Sequence, residues 1–290
     1  MTKERILILG HDGYIGSHLV AALQKNFPSG EIEGLSYPEL DLTNCESSAD
    51  KLKGLIGSNT TVIMCSGIKK QHGDNIEIYD KNMAMVVTMC LLMEEVKVKR
   101  FVYFSSAEVY GEAVHDTNIS EKTQVQPSSY YGIAKYASEG LLRKTFSNSD
   151  QGSLLILRPA LIYGPKEAGS FYGPTGFLRT ALKGEPITLW GDGAEKREFV
   201  YIEDLVQAVV NLTSHEYSGV INIVGGESYQ FSDILEIIKE IVPSTDTQSR
   251  PRTKSSVDQG YDNSLLREVL PKLTFTRLDE GIAKIHEMER

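Results

Sequence analysis

Apolar runs of four to six residues alternate with segments of helical period along the first half of the chain. Such runs, separated by amphipathic stretches, are what a parallel sheet covered by helices on both faces requires. The runs predict strands at Arg5–Leu9, Glu31–Leu35, Thr61–Cys65, Arg100–Phe104 and Ser153–Leu157. Between them, apolar residues recurring at three and four predict helices at Ile15–Asn26, Ser48–Ile56, Ile76–Val96 and Tyr130–Phe146. The expected fold class is therefore α/β, a doubly wound parallel sheet.

After Arg158-Pro159 the texture becomes Gly- and Pro-rich, from Gly164-Pro165 through Gly176, as in a binding loop rather than a regular element. Phe199–Ile202, a helix over Glu203–Leu212 and a strand at Val220–Val224 read as more of the sheet. Phe231–Val242 and Leu278–Met288 read as separate helices. This pattern predicts a first domain of residues 1–165 and 198–226, and a smaller C-terminal α/β domain of residues 166–197 and 227–290.

Composition narrows the classes of partner. The 290 residues carry 30 Lys+Arg against 39 Asp+Glu, a net charge of −9 spread along the chain. That balance argues against nucleic acid or an anionic membrane surface, so an anionic ligand must be held by local cations. Cys45, Cys65 and Cys90 are too few and too scattered for a disulfide framework or a thiolate metal site, which fits a reducing compartment. The apolar run at Ile6 is too short for a signal core, and none approaches the roughly 20 residues of a membrane span. A cytoplasmic protein with no metal is expected.

The first predicted strand runs into Gly10-His11-Asp12-Gly13-Tyr14-Ile15-Gly16 and then a helix. Glycines here allow a sharp turn, close approach of a pyrophosphate to the backbone and tight helix packing, while the helix N-terminus supplies partial positive charge. A dinucleotide is expected on this turn, in the first domain. Cofactor choice is usually set at the end of the second strand, where this chain has Ser36-Tyr37, neither an acid nor an arginine. Asp12 would repel a 2′-phosphate, so NAD is the expected cofactor, with NADP left open.

Tyr131 and Lys135 stand four apart, on one face of a helix. A cation beside a phenol favours the phenolate and brings its pKa from near 10 towards the working pH. Such a pair arises by chance in a chain with 14 Tyr, so its weight comes from position. It opens the helix before the fifth strand, and Ser105-Ser106 end the fourth, at the carboxyl edge where such sheets bind ligands. Six His show no metal spacing, and Ser228 lacks the second glycine of a nucleophile elbow.

Taken in order, the glycine turn, Ser106-Ala-Glu108-Val-Tyr-Gly, Tyr131/Lys135, Arg158-Pro159-x-x-x-Tyr163-Gly-Pro and Gly191-Asp-Gly-x-x-x-Arg197-x-Phe-Val-x-x-x-Asp204 resemble the extended short-chain dehydrogenases/reductases. Within them the chain is similar to the NAD-dependent nucleotide-sugar epimerase/dehydratase branch, from residue 5 to nearly the end. The resemblance implies a Rossmann domain followed by a substrate domain. It implies cofactor contacts at Gly10, Gly13, Tyr14, Ile15, Gly16, Asp41, Leu42, Cys65, Ser66, Gly67, Lys69, Asn82, Tyr131 and Lys135. Tyr131 would exchange a proton with a sugar hydroxyl, Lys135 would hold the ribose and depress the phenol's pKa, and Ser106 would bond the same substrate oxygen. Arg197 and Arg252 would clamp the diphosphate of a nucleotide sugar, for which a planar guanidinium fork is suited.

Two departures bear on the chemistry. Ala107 precedes Glu108 where 4,6-dehydratases carry adjacent acids, which argues against water elimination. Leu161 stands where epimerases often carry Asn. Glu108 is open to reading as a base or as a structural acceptor. The expected activity is epimerisation at C4 of a nucleotide-diphosphate sugar by hydride transfer. Net reduction of a 4-keto nucleotide sugar is the nearest alternative, and a non-catalytic dinucleotide sensor a more distant one. The resemblance also implies a homodimer through the helices at Ile76–Val96 and Tyr130–Phe146, the first of which is apolar nearly all round.

Overall fold

The computed structural model describes residues 4–28, 30–147, 151–167, 172–253 and 255–290. The chain begins β1 (Arg5–Leu9), α1 (Tyr14–Asn26), β2 (Glu31–Leu35), α2 (Cys45–Lys53), β3 (Thr60–Met64), α3 (Ile76–Glu95) and β4 (Arg100–Phe104). It continues β5 (Asp116–Ile119), α4 (Tyr130–Thr145), β6 (Ser153–Pro159), β7 (Leu161–Tyr163), α5 (Gly173–Leu182), β8 (Ile187–Trp190), β9 (Lys196–Tyr201) and α6 (Ile202–Thr213). The remainder is β10 (Gly219–Ile223), β11 (Ser228–Gln230), α7 (Phe231–Ile241), β12 (Thr247–Arg250), β13 (Gln259–Tyr261), α8 (Ser264–Val269) and α9 (Leu278–Glu289).

Side-chain caps fix where several helices start. Asn44, Asn75 and Ser129 accept from the backbone N–H of Ser47, Ile78 and Gly132 at the heads of α2, α3 and α4. The Asn44 cap is why α2 starts at Cys45, three residues before the expected Ser48. A second expectation fails at Gly173–Gly176, which form the buried first turn of α5 rather than part of a loop. Pro174 suits that turn because the first N–H groups of a helix need no partner within it. Residues 168–171 lie outside the described residues.

Among the described residues the chain forms two compact units: 1–112, 123–159 and 206–222, and 113–122, 160–205 and 223–290. These boundaries differ from the expected ones because short strands recruit distant partners. β5 pairs with β13, drawing 113–122 into the second unit. β7 and β11 both pair with β9, so Phe199–Ile202 is not more of the main sheet as expected.

The first unit is built on a sheet of order β10-β6-β4-β3-β1-β2, with β1 to β4 and β6 parallel. β3 and β4 are buried at every position, as central strands covered on both faces must be. Leu7, Leu9, Val62, Met64, Phe101 and Tyr103 join Met85, Met89 and Leu92 of α3 in one core. Register places the carboxyl ends level: Leu9 is opposite Met64, and Phe104 opposite Leu157. Gly10, Cys65 and Ser105 therefore emerge side by side at one edge.

The second unit has its own core, in which α5, α7 and α9 pack around Tyr163 and Tyr201. Phe231, Ile234, Leu235 and Ile238 give α7 a buried face, each worth about 1.5–3 kcal/mol on transfer from water. Gly281 of α9 lies against the Tyr163 ring, where a Cβ would strike the phenol oxygen.

Candidate active site

At the first strand-to-helix turn Gly10 has φ +87°, and a Cβ there would lie 2.8 Å from the Ser66 nitrogen. A Cβ on Gly16 would collide with the Gly10 carbonyl. Both positions require glycine, and the bare backbone leaves a cradle at the head of α1. That helix has no side-chain cap and no acid in its first turn to offset the positive end of its dipole. This arrangement fits a dinucleotide pyrophosphate.

Ser36, which stands where an acid or arginine is usual, has a structural task. Its hydroxyl accepts from the Asp12 N–H at 3.2 Å and lies 2.9 Å from His11 Nδ1, tying the glycine turn to the end of β2. Asp12 itself is exposed. Asp41 accepts from Thr43 at 2.6 Å and its carbonyl from Ser48, while Leu42 is buried, so both belong to the link between β2 and α2.

The segment after β3 is held by Asn82. Its Oδ1 accepts from the Ile68 N–H at 2.8 Å and its Nδ2 donates to the Ile68 carbonyl at 3.0 Å, so the amide is a clasp on this backbone. Gly67 passes close enough that a Cβ would lie 3.3 Å from Lys135 Nζ and 3.6 Å from Asn82 Oδ1. Lys69 Nζ stands 5.3 Å from the centroid of the Tyr14 ring. Cys65, beside Lys135, has its thiol pushed up to about 12 by burial, with the ammonium pulling the other way.

Ser106, Tyr131 and Lys135 come together at the carboxyl end of β4. Ser106 Oγ accepts from the Glu108 N–H, capping a short 3₁₀ turn, and its hydroxyl favours the Tyr131 phenolate. The Tyr131 N–H donates to Asp74 at 3.1 Å, and Lys135 Nζ is 5.6 Å from the Tyr131 ring centroid. Burial first, then the negative charge of Glu108, push the phenol above its ordinary range, with Ser106 alone opposing them. The Lys135 ammonium donates to the Phe104 carbonyl at 2.6 Å. Burial lowers Lys135 to about 8, against the pull of Cys65 and Glu139.

Glu108 sits among structural partners. Its Oε2 accepts from Ser129 Oγ at 3.1 Å, and Lys70, ion-paired with Glu112, lies 3.9 Å away. Burial nevertheless raises its carboxyl above the usual range.

Behind these groups lies a polar network that the sequence reading missed. Glu139, with no exposed side chain, takes two bonds from Arg158 at 2.8 and 2.6 Å, one from Arg143 and one from Ser105. Arg158 also donates to the Tyr110 hydroxyl, which donates to Asn222. Glu139 lies four residues beyond Lys135 and eight beyond Tyr131, so the helical face that found the pair could have found it.

Arg197 and Arg252 belong to the second unit, where they meet on one carboxylate. Arg197 Nη2 pairs with Glu195 Oε1, and Arg252 Nη1 donates to Glu195 Oε2 at 2.6 Å. Nearby, the Tyr172 and Phe231 rings lie 4.5 Å apart in a pocket that Trp190 and Arg252 also line.

A glycine cradle at the first turn, a Ser/Tyr/Lys cluster at the fourth strand and this order of motifs agree with the sequence comparison. The model of the NAD dependent epimerase/dehydratase family matches residues 6–224. The chain belongs to that family of NAD-dependent enzymes. The uncharacterized UDP-glucose epimerase YtcB of Bacillus subtilis is 26% identical over 262 residues, covering 82% of this chain and 82% of that protein. The crystal structure of Thermotoga maritima UDP-glucose 4-epimerase with UDP-glucose superposes with a TM-score of 0.86, covering 99% of this chain and 100% of that one at 23% identity. MoeE5, in complex with UDP-glucuronic acid and NAD, is 26% identical with a TM-score of 0.83, covering 99% of both chains. No helix among the described residues is long and apolar enough to cross a membrane.

Proposed function

We propose that this NAD-dependent enzyme epimerises a nucleotide-diphosphate sugar at C4. The observation that carries the reading is the grouping of Ser106, Tyr131 and Lys135 at the sheet edge that also holds the glycine cradle. NAD is held over Gly10–Gly16, by Gly67 and by Lys69 with Tyr14; Asp41, Leu42, Cys65, Ser66 and Asn82 complete or support that site. Asp12 and Ser36, which bring no cation, favour it over NADP. When bound, NAD would supply the hydride acceptor and donor.

The chain's own residues handle the proton. Ser106 Oγ and the Tyr131 hydroxyl bond the substrate's C4 oxygen, and Tyr131 takes its proton as the carbonyl forms. Since Glu108 opposes a phenolate, the positive charge of Lys135 is needed against it. Arg197 and Arg252 receive the diphosphate. Glu108, bonded to Ser129 and near Lys70, acts as the structural acceptor that sets the floor of the site.

The protein is proposed to act as a homodimer. Val87 and Leu91 of α3 and Ile133, Tyr136 and Leu141 of α4 are large, apolar and exposed on neighbouring helices. Light scattering should give twice the chain mass of 32.2 kDa. A 32.2 kDa particle at micromolar concentration would remove the dimer.

The activity is tested by supplying NAD and a panel of UDP-, dTDP- and GDP-sugars, with products separated by chromatography and mass spectrometry. Interconversion of C4 epimers without net NADH formation is expected. Stoichiometric NADH consumption on a 4-keto sugar would establish the reductase instead. Failure on every nucleotide sugar would overturn the reading.

A further inference from the structure

We infer that Glu195 is an internal counter-anion that occupies Arg197 and Arg252 and sets how much negative charge a ligand must bring to that arginine pair. The inference rests on the proposal that these arginines receive a diphosphate. Its basis is the way the three side chains are brought together. Glu195 immediately precedes β9 and Arg197 is the second residue of that strand, so the two stand two apart along the chain. Arg252 lies two residues beyond β12, which pairs in parallel with β8. It crosses Gly191, where φ is +65° and a Cβ would lie 2.9 Å from Nε, so only glycine admits it.

The two carboxylate oxygens serve different arginines, Oε1 on Arg197 and Oε2 on Arg252. This is the contact that the oxygens of a bound anion would make. Two guanidiniums and one carboxylate leave a net charge of +1. Exposures of 15% for Glu195, 18% for Arg197 and 22% for Arg252 mean that water reaches all three, so exchanging one anion for another does not expose a sealed ion pair. Arg197 would stay in place during the exchange, because its Nη1 also donates to the Lys196 and Val257 carbonyls.

A ligand must therefore displace a carboxylate tethered at high local concentration. A monoanion offers no more charge than Glu195 and gains little. A diphosphate brings a phosphate for each guanidinium and can replace it. Glu195 thus acts as a specificity-determining residue that favours nucleoside diphosphates over singly charged ligands.

The test is calorimetric titration of UDP into the full chain at low salt, comparing the wild type, Glu195→Gln and Arg197→Leu. Gln keeps the shape and removes the charge, so UDP should bind about fivefold tighter or more, the size of one partly exposed charge interaction. Arg197→Leu should bind more weakly. If Glu195→Gln binds UDP no better than the wild type while Arg197→Leu loses affinity, Glu195 merely positions the arginines and the inference fails. If Arg197→Leu binds UDP as the wild type does, it is the diphosphate assignment that fails. Glu195→Ser removes the same charge and gives the same comparison should the Gln variant not fold.

Discussion

Each unit holds a carboxylate shared by two arginines, and the two carboxylates differ in their access to water. Glu139 has 0% exposure and Arg158 3%, while Arg143 reaches the carboxylate from the surface at 44%, and the carboxylate also accepts from Ser105. Glu195 and its arginines are 15–22% exposed. The same charges therefore do different work. A buried ion pair cannot exchange partners without stranding a charge in a poor solvent, so it fixes geometry. A solvated pair exchanges cheaply and can serve a ligand. Glu139 ties α4 to the end of β4 through Ser105, next to where Lys135 reaches the Phe104 carbonyl. Those two bonds, four residues apart on one helix, hold Tyr131 against Ser106.

The largest effect expected from this contrast is on stability. Glu139→Ala leaves Arg158 unpaired in the interior and should cost about 3–5 kcal/mol. Glu195→Ala should cost about 1 kcal/mol or less. Urea unfolding of both variants measures the difference, and equal losses would break the comparison.

A second effect separates chemistry from scaffold within the first unit. Tyr131→Phe keeps the ring and removes the hydroxyl, so turnover should fall about 10²-fold or more with little change in melting temperature. Near-normal turnover would take Tyr131 out of the mechanism. In the second unit, Arg197→Leu should instead raise KM with a smaller effect on kcat, because lost phosphate bonds act on bound substrate and transition state alike. Arg197→Lys should recover part of the loss, since a point charge cannot make a bidentate contact. A variant that loses stability but keeps its KM would make Arg197 a structural residue.

How legible these features were in the sequence follows from how local they are. β1, β2 and β4 lie where the apolar runs placed them, and α1, α3 and α4 within a residue of the predicted ends, because burial imposes a period on neighbouring residues. β5 and β13 left no such trace. They have four and three residues, and each is made a strand by a partner some 140 positions away. The site divides in the same way. Tyr131 and Lys135 share a helical turn and were found by spacing. The bridging role of Glu195 depends on Arg252 arriving from another strand, and the raised pKa of Tyr131 depends on what buries it, neither of which spacing contains.

Glu198 sharpens the comparison with the smallest effect, because it is a buried carboxylate without an arginine. It is 2% exposed, and Oε1 accepts from the backbone N–H groups of Gly225 and Gly226. Its other oxygen has no hydrogen-bond partner among the described residues. Burial raises it to about 7; the two amides oppose this and Glu227 adds to it. The folded state thus binds a proton that the unfolded state, titrating near 4.5, has released. Stability from this group is complete below about 4.5 and is lost as pH rises towards about 7, with a slope of at most about 1.4 kcal/mol per pH unit. Glu198→Gln cannot ionise, and its carbonyl can still accept from both amides. Relative to the wild type it should gain stability across that window and hold the gain at pH 8. Urea titrations of both proteins at pH 4.5, 6 and 8 measure this, and a stability difference that does not change with pH would show that neither burial nor the missing arginine governs the carboxyl.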